Sequence, residues 1–348
     1  MEATIAHVLV FGSSSASAAA TEAMGRVFGG LDWPVTWAEG GSCDGSPIAG
    51  AQVVAFAGQV QRIRRASRVV GSVFEAGGMR HCFLGGLGPG QRESARADQA
   101  RQTFDLLEGA CDQAGFALAD LVRTWFFLDD LHGWYGEFNA ARTQRYSGIK
   151  FRSGALPAST GVGARNPAQS ALAMAAWAVV PLDCAPARPS EETGAGPAGS
   201  WPNPPWAAAS HSPSASIREI GSPLQCPAPN YGSSFSRAME IVSLAGRRLT
   251  ISGTASISPD GRTLHQDEPR GQVDLTMEVV DAILRSSSYS LGDVTRAVAY
   301  FKHPSQAPAF EHWLAAHGLA SLPVISTQCA VCREDLLFEL EADAYRCS

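Results

Sequence analysis

The chain has 348 residues, of which 45% are hydrophobic and only 17% are charged, and it is rich in glycine (35) and proline (21). At about 150 residues per domain, this length predicts roughly two domains. The composition excludes a coiled coil and a highly charged disordered chain, and it favours sheets with many turns. The net charge of -6 argues against nucleic-acid binding, because phosphates require a basic surface.

The N-terminus and the cysteine content bear on the compartment. The chain starts with an acid after Met1 and lacks a basic stretch, so we expect no signal peptide. No uncharged apolar run reaches about 18 residues, so we expect no membrane-spanning helix. The 8 cysteines are too dilute for a disulfide scaffold, and reduced cysteines are typical of a cytoplasmic protein. Because the histidines lack metal-ligand spacing, we expect no metal site.

In chain order, residues 1–70 predict an N-terminal extension with strands, of which residues 7–11 are the clearest. Residues 71–183 predict a first module that opens with a glycine-punctuated strand. Its first helix has Phe104, Leu107 and Ala110 on one face. A strand, a second helix and two closing strands complete the module.

A linker and a second module follow. Residues 184–230 contain 10 of the 21 prolines, a composition that predicts an extended Pro/Gly-rich linker. Residues 231–348 then predict a second module that repeats the first at an offset of 173. The residues matched at this offset are Gln99 and Gln272, Thr103 and Thr276, Leu118 and Leu291, Asp120 and Asp293, and Arg123 and Arg296. Each copy reads β-β-α-β-α-β-β, which predicts an α+β fold with helices on one face of a mixed sheet.

Three motifs carry a resemblance to a known family. They are LPASTGVG at residues 156–163, YGSSFSRA at 231–238 and CREDLLFELE at 332–341. Together with the duplication, they resemble the chorismatases, the two-module relatives of the YjgF/reactive-intermediate deaminase family. The resemblance implies two YjgF-like (chorismate-mutase-like) modules, with the substrate pocket at their junction. Since single-module relatives form trimers, it also implies that two modules and the N-terminal extension form a pseudo-trimer within one chain.

The same resemblance implies an activity. Chorismate would be converted to pyruvate and 3-hydroxybenzoate, with some 4-hydroxybenzoate, and no metal or organic cofactor would be needed. Two alternatives stay open: hydrolysis to a dihydroxycyclohexadiene carboxylate plus pyruvate, and a non-catalytic protein that binds small carboxylates. An imine deaminase of the YjgF type is disfavoured. Its arginine after the Pro-Ala step is replaced by Ser159 in the first copy and by Ile325 or Ser326 in the second.

Glu339 is the predicted acid. Strand alternation places Glu339, Glu341 and Asp343 on one face of the last strand, whereas the matching strand of the first copy has no acid. Cleavage of an enolpyruvyl ether begins with protonation of its methylene carbon, which requires a carboxyl that burial keeps protonated. The resemblance assigns that role to Glu339. The alternative is an acid on a solvated sheet face.

Cys332 is the second candidate. Cys329 and Cys332 have the spacing of a metal or redox pair, but residues three apart in a strand point to opposite faces and cannot act together. In chorismatases, a cysteine at the place of Cys332 is associated with members that form 3-hydroxybenzoate. A small buried apolar residue is the equally good alternative.

The anion binders complete the predicted site. Chorismate has two carboxylates, and arginine binds each of them with two parallel hydrogen bonds. Arg165 and Arg237 are the candidates, Arg142 is a weaker one, and Tyr231 is placed to assist. The expected partner is chorismate alone, without nucleic acid or membrane, in a monomer or a small homo-oligomer.

Overall fold

The computed structural model describes residues 3–182 and 215–347 as three sheets of 3, 6 and 7 strands. Most of the predicted linker, residues 184–214, lies outside this described part. In the described ranges, no helix is long and apolar enough to cross a membrane.

The N-terminal unit is a small α/β element. Its parts are β1 (Thr4–Gly12), α1 (Ser17–Phe28), β2 (Val35–Ala38), β3 (Gly41–Ser42) and β4 (Ile48–Phe56). Strand β2 runs parallel to β1, and β4 runs antiparallel to β1 on the other side. The short strand β3 leaves this sheet and pairs with the second module.

The first module forms the six-stranded sheet, ordered β5-β6-β7-β10-β8-β9. Its elements are β5 (Gln61–Arg65), β6 (Arg68–Ala76), β7 (Met79–Leu87), α2 (Arg96–Gln113), β8 (Leu121–Leu128), α3 (Leu131–Tyr146), β9 (Ala158–Gly163) and β10 (Leu172–Pro181). Helix α2 is stabilised by its apolar face, which packs on the sheet. Phe104, Leu107 and Ala110 are buried, as their spacing predicts.

The second module forms the seven-stranded sheet, ordered β11-β12-β13-β16-β14-β15-β3. Its elements are β11 (Ser216–Ile220), β12 (Ala238–Ser243), β13 (Gly246–Ala255), α4 (Pro269–Ser286), β14 (Val294–Phe301), α5 (Ala307–Ala316), β15 (Val324–Gln328) and β16 (Phe338–Arg346). Met277, Val280 and Ile283 of α4 are buried against this sheet.

Both modules begin earlier than the sequence predicts. Strand β5 starts at Gln61, ahead of residue 71, and β11 lies within the range assigned to the linker. Each of these strands lies at one edge of its sheet and carries arginine, with the sequences QRIRR and SIREI. Charged side chains on an edge strand prevent it from pairing with a further strand. They also interrupt the hydrophobic alternation by which a strand is recognised in the sequence.

The repeated residues make the same bonds in both copies. Gln99 Oε1 accepts a hydrogen bond from the backbone N–H of Ala171 at 2.9 Å, and Gln272 Oε1 accepts one from Leu337 at 2.7 Å. Asp120 and Asp293 each accept a backbone N–H three residues earlier. The repeat in the sequence therefore records conserved polar contacts as well as helical periodicity.

The N-terminal unit repeats half of a module. In each unit a strand is followed by a helix, a parallel strand on one side and an antiparallel strand on the other. The three sets are β1-α1-β2-β4, β8-α3-β9-β10 and β14-α5-β15-β16. The N-terminal unit thus takes the third place in a pseudo-trimer.

An aromatic cluster marks the centre of this pseudo-trimer. Phe11, Phe127 and Tyr300 come from the first strand of each set, and the ring centroid of Phe11 lies 5.9 Å from each of the other two. All three are fully buried in a core shared by the three sheets. Helices α2 and α3 pack on the opposite face of the first module's sheet, and α4 and α5 pack on that of the second.

Candidate active site

A cavity of about 250 Å³ lies between the two modules. The first module contributes α3 and β9, and the second contributes β13, the start of β16 and the segments before β12 and β16. The lining residues with polar or aromatic side chains are Tyr135, Asn139, Arg142, Tyr231, Ser233, Phe235, Arg237, Cys332, Arg333 and Glu339. Four of the five residues singled out in the sequence, namely Glu339, Cys332, Tyr231 and Arg237, therefore line one cavity.

Strand β16 places Glu339 in this cavity. Its residues alternate as predicted: Phe338 and Leu340 pack in the core under the helices, while Glu339 and Glu341 face the other module. Glu339 is 4% exposed. Its carboxyl rests on Gly253 of β13, where any Cβ would overlap Oε1. A larger residue at 253 would therefore force the Glu339 carboxyl to shift from this place.

The surroundings of Glu339 favour its protonated form. Burial raises the pKa of the Glu339 carboxyl to about 8, and the negative charge of Glu341 contributes to the increase. The positive charges of Arg123 and Arg237 oppose it. At neutral pH, Glu339 is a buried acid that still holds its proton. This state matches the requirement for a general acid.

Three guanidinium groups accompany this acid. Arg237 donates from Nε and Nη2 to the backbone oxygen of Cys226, at 3.1 and 2.9 Å, and Arg333 donates to Gly261 O at 2.8 Å. Arg142, on α3, donates to Asn139 Oδ1 at 2.7 Å. These bonds fix the arginines but leave further N–H groups for a ligand, since a guanidinium has five.

The arginines are also held by aromatic rings. The guanidinium carbon of Arg237 lies 5.4 Å from the ring centroid of Tyr231, and that of Arg333 lies 5.8 Å from the same centroid. The ring centroid of Phe235 lies 5.6 Å from the guanidinium carbon of Arg237 and 5.8 Å from that of Arg142. Cation–π contact of this kind orients a guanidinium without neutralising its charge. The cavity therefore combines a neutral acid with three positive charges, which suits a ligand with two carboxylates.

Cys332 lines the cavity as a neutral thiol. Burial raises the pKa of the Cys332 thiol to about 12, and the nearby Glu339 adds to the increase. The site therefore offers a small, polarisable surface here in place of a thiolate nucleophile. Cys329 is buried in the central core, away from the cavity. Both cysteines are unpaired. The expected strand placement of this pair is wrong, because β15 ends at Gln328 and Cys332 lies in the bend before β16.

The structure does not bring Arg165 to the cavity. Arg165 is exposed beyond the end of β9, and its backbone oxygen accepts a hydrogen bond from Glu39 at 2.7 Å. The expectation that Arg165 binds a carboxylate in this cavity is corrected on this ground. Arg142, rated below it from the sequence, is 2% exposed and lines the cavity. Tyr135 and Arg333 also line the cavity and are not among the site residues predicted from the sequence.

The acid occupies one of three equivalent positions in the pseudo-trimer. Phe11 pairs across the sheet with Gly50, Phe127 pairs with Ala173, and Tyr300 pairs with Glu339. These three partners occupy the same register position in the three units. Of the three, Glu339 is the acid, in agreement with the predicted divergence between the last strands of the two modules.

The fold and the inter-module site together define an α+β protein of two related modules with a cavity between them. Among solved structures, a crystal structure of a chorismatase covers 98% of this chain and 93% of its own, with a TM-score of 0.66 and 18% sequence identity. The predicted fold, two YjgF-like modules arranged as in chorismatase, is thereby confirmed.

Other comparisons cover single modules. A RutC family protein from Pyrococcus horikoshii is 28% identical over 103 residues, which are 29% of this chain and 82% of that protein. A member of the YjgF/YER057c/UK114 family from Mycobacterium tuberculosis is 24% identical and covers 38% of this chain and 100% of its own, with a TM-score of 0.30. No family model matches the chain.

Proposed function

We propose that the protein is a chorismatase that converts chorismate to pyruvate and 3-hydroxybenzoate. The observation that carries this proposal is a buried carboxyl, whose pKa is raised by burial, in one cavity with three arginines. Chorismate offers a matching pair of features: two carboxylates and an enolpyruvyl ether that is cleaved after protonation. The likeness of the fold to chorismatase supports the same assignment.

Glu339 donates its proton to the methylene carbon of the enolpyruvyl group. This step creates an oxocarbenium ion, which weakens the bond between the ether oxygen and the ring carbon. As the neighbouring ring hydroxyl moves onto that carbon, this bond breaks, and pyruvate leaves with the ether oxygen as its keto oxygen. The ring then becomes aromatic. Pyruvate and 3-hydroxybenzoate together contain all the atoms of chorismate, so no water is consumed overall. A proton lost from the ring replaces the one given by Glu339.

The arginines bind the two carboxylates. Arg142 belongs to the first module, whereas Arg237 and Arg333 belong to the second. A dianion bound by these arginines therefore lies across the module interface, with its reacting ether between the two modules. Tyr231, stacked on Arg237 and Arg333, keeps these two groups in place.

The alternative reaction, hydrolysis to a dihydroxycyclohexadiene carboxylate, uses the same acid but consumes one water. Cys332 at the cavity wall favours the aromatic product, on the resemblance to chorismatases that carry a cysteine there. The test is incubation with chorismate, with a pyruvate assay and chromatography of the second product. Equimolar pyruvate and 3-hydroxybenzoate support the proposal. A non-aromatic diol supports hydrolysis, and binding without pyruvate supports the non-catalytic alternative.

A further inference from the structure

The carboxylate of Glu341 joins the two modules. It is fully buried, two residues beyond Glu339 on the same face of β16. Its Oε2 accepts a hydrogen bond from Arg123 Nη2 at 2.8 Å, and its Oε1 accepts one from Trp125 Nε1 at 3.1 Å. Both donors lie on β8 of the first module, and Arg296 of β14 pairs with the same carboxylate. The arginines matched by the sequence repeat, Arg123 and Arg296, thus converge on one acid.

A second branch of this network reaches the wall of the cavity. Arg123 Nη2 also donates to Thr160 Oγ1 at 2.6 Å, and this oxygen accepts the backbone N–H of Gly253 at 3.0 Å. Gly253 is the residue against which the Glu339 carboxyl rests. The ion pair therefore holds the Arg123 guanidinium near Glu339. Through Thr160, it also holds the backbone of Gly253, against which the Glu339 carboxyl packs.

The groups that face Glu339 differ in charge. The cations are Arg123 from β8, Arg142 from α3, Arg237 from the segment before β12 and Arg333 from the segment before β16. The remaining titratable groups are Tyr135, Tyr231, Tyr300, Cys329 and Cys332, and burial raises the pKa of each, so they stay neutral near pH 8. Glu341 is the carboxylate whose negative charge raises the pKa of Glu339, and the other charged groups around Glu341 are Arg296 and Asp343, which pair with each other.

We propose that Glu341, held across the module interface by Arg123 and Trp125, is the positioning residue that keeps the proton on Glu339 until the substrate takes it. Without this charge, burial would still raise the pKa of Glu339, but by less, and more of the group would be in the ionised form, which cannot protonate the substrate. The inference rests on the proposed function for the role of Glu339. It goes further in giving the module interface a part in the chemistry, since the carboxylate belongs to one module and two of its donors belong to the other.

Glu341→Gln is the direct test, because it removes the charge and retains the shape. The readout is the infrared band of the protonated Glu339 carboxyl, identified by its loss in Glu339→Gln, titrated between about pH 6 and pH 10. We expect a midpoint near 8 in the native protein and a midpoint lower by about one pH unit or more in Glu341→Gln. An unchanged or higher midpoint would overturn the proposal.

The infrared titration requires no turnover, so it separates this inference from the proposed function. Native protein that releases no pyruvate from chorismate would refute the function and leave the titration to decide the role of Glu341. A shifted midpoint without any loss of activity near pH 8, in a protein that does turn over chorismate, would also overturn the inference.

A second pair of variants is available in case Glu341→Gln does not fold. Trp125→Phe removes one hydrogen bond to Glu341 and leaves every charge in place, and we expect kcat to fall about tenfold with little change in KM. Trp177→Phe is the matched control. Trp177 lies in the same central core, but its indole N–H has no hydrogen-bond partner among the described residues. Equal effects of the two substitutions on kcat would contradict the positioning role.

Discussion

The carboxyl group of Glu339 lies directly against the Cα of Gly253, on the neighbouring strand of the same sheet. The methyl group of Thr160 from the other module lies 3.3 Å from the point that a Cβ on residue 253 would occupy. The acid is therefore enclosed by backbone on one side and by the partner module on the other. Burial by these neighbours, more than any single charge, is the main cause of its raised pKa.

We expect Gly253→Ala to displace Glu339 and to lower kcat for pyruvate release by about tenfold or more, because a small misplacement of a reacting group is costly. Gly292→Ala is the control. There the added methyl would meet Ser290 Oγ at 3.5 Å, which is an ordinary contact. Steady-state kinetics of both variants check the prediction, and full activity in Gly253→Ala would show that the packing around the acid is unimportant.

The rate of pyruvate release should depend on pH through Glu339. A general acid works in its protonated form, and the pKa of Glu339 is raised from 4.5 to about 8. Activity is therefore expected to persist through neutral pH and to fall as the pH rises above about 8. An exposed glutamate would already lose its proton at about pH 4 to 5. A pH–rate profile that declines through pH 5 to 6 would be incompatible with Glu339 as the acid.

Substitutions of Arg142 and Arg165 are expected to have different effects on chorismate binding. Arg142→Lys removes the planar fork that binds a carboxylate with two bonds, so we expect KM for chorismate to rise about tenfold. Arg165→Lys, on the exposed residue outside the cavity, should leave kcat and KM within about twofold of the native values. Kinetics of the two variants under the same conditions decide between them. The reverse ranking would restore Arg165 as the ligand-binding residue.

The identity of the product is expected to depend on Cys332. In Cys332→Ala we expect part of the product to become the non-aromatic diol, because the cavity wall beside the substrate ring changes. Cys329→Ala provides the comparison, since that thiol is buried in the central core and is also neutral. Chromatography of both reactions gives the ratio of products. Identical product ratios in the two variants would show that Cys332 does not determine the product.

The sequence predicts the duplicated modules well because their repeated residues have structural roles that persist in both copies. Gln99 accepts a backbone hydrogen bond just before β10, and Gln272 accepts one just before β16, the matching strand of the second module. The buried faces of α2 and α4 also keep the same spacing. The N-terminal unit escapes this kind of prediction. It shares with the modules only the order and direction of its strands, and this likeness appears once β1 and β4 are paired in space.

The candidate site is predictable to a similar degree. Alternation along one strand places Glu339 and Glu341 on the same face, and this requires no knowledge of the rest of the fold. The arginines are different, because Arg142 reaches the cavity only when α3 of the first module packs beside the second module. Contacts at such sequence distances leave no local pattern. Arg165 and Arg142 could therefore not be ranked from their neighbours in the chain.

The most direct test of the account compares the native protein with Glu339→Gln in chorismate binding and in pyruvate release. Glutamine retains the size of the side chain and cannot donate a proton to carbon as the carboxyl does. We predict that Glu339→Gln binds chorismate with a Kd within about threefold of the native value and releases no pyruvate above the uncatalysed rate. Pyruvate release by Glu339→Gln at the native rate would contradict the assignment of Glu339 as the acid.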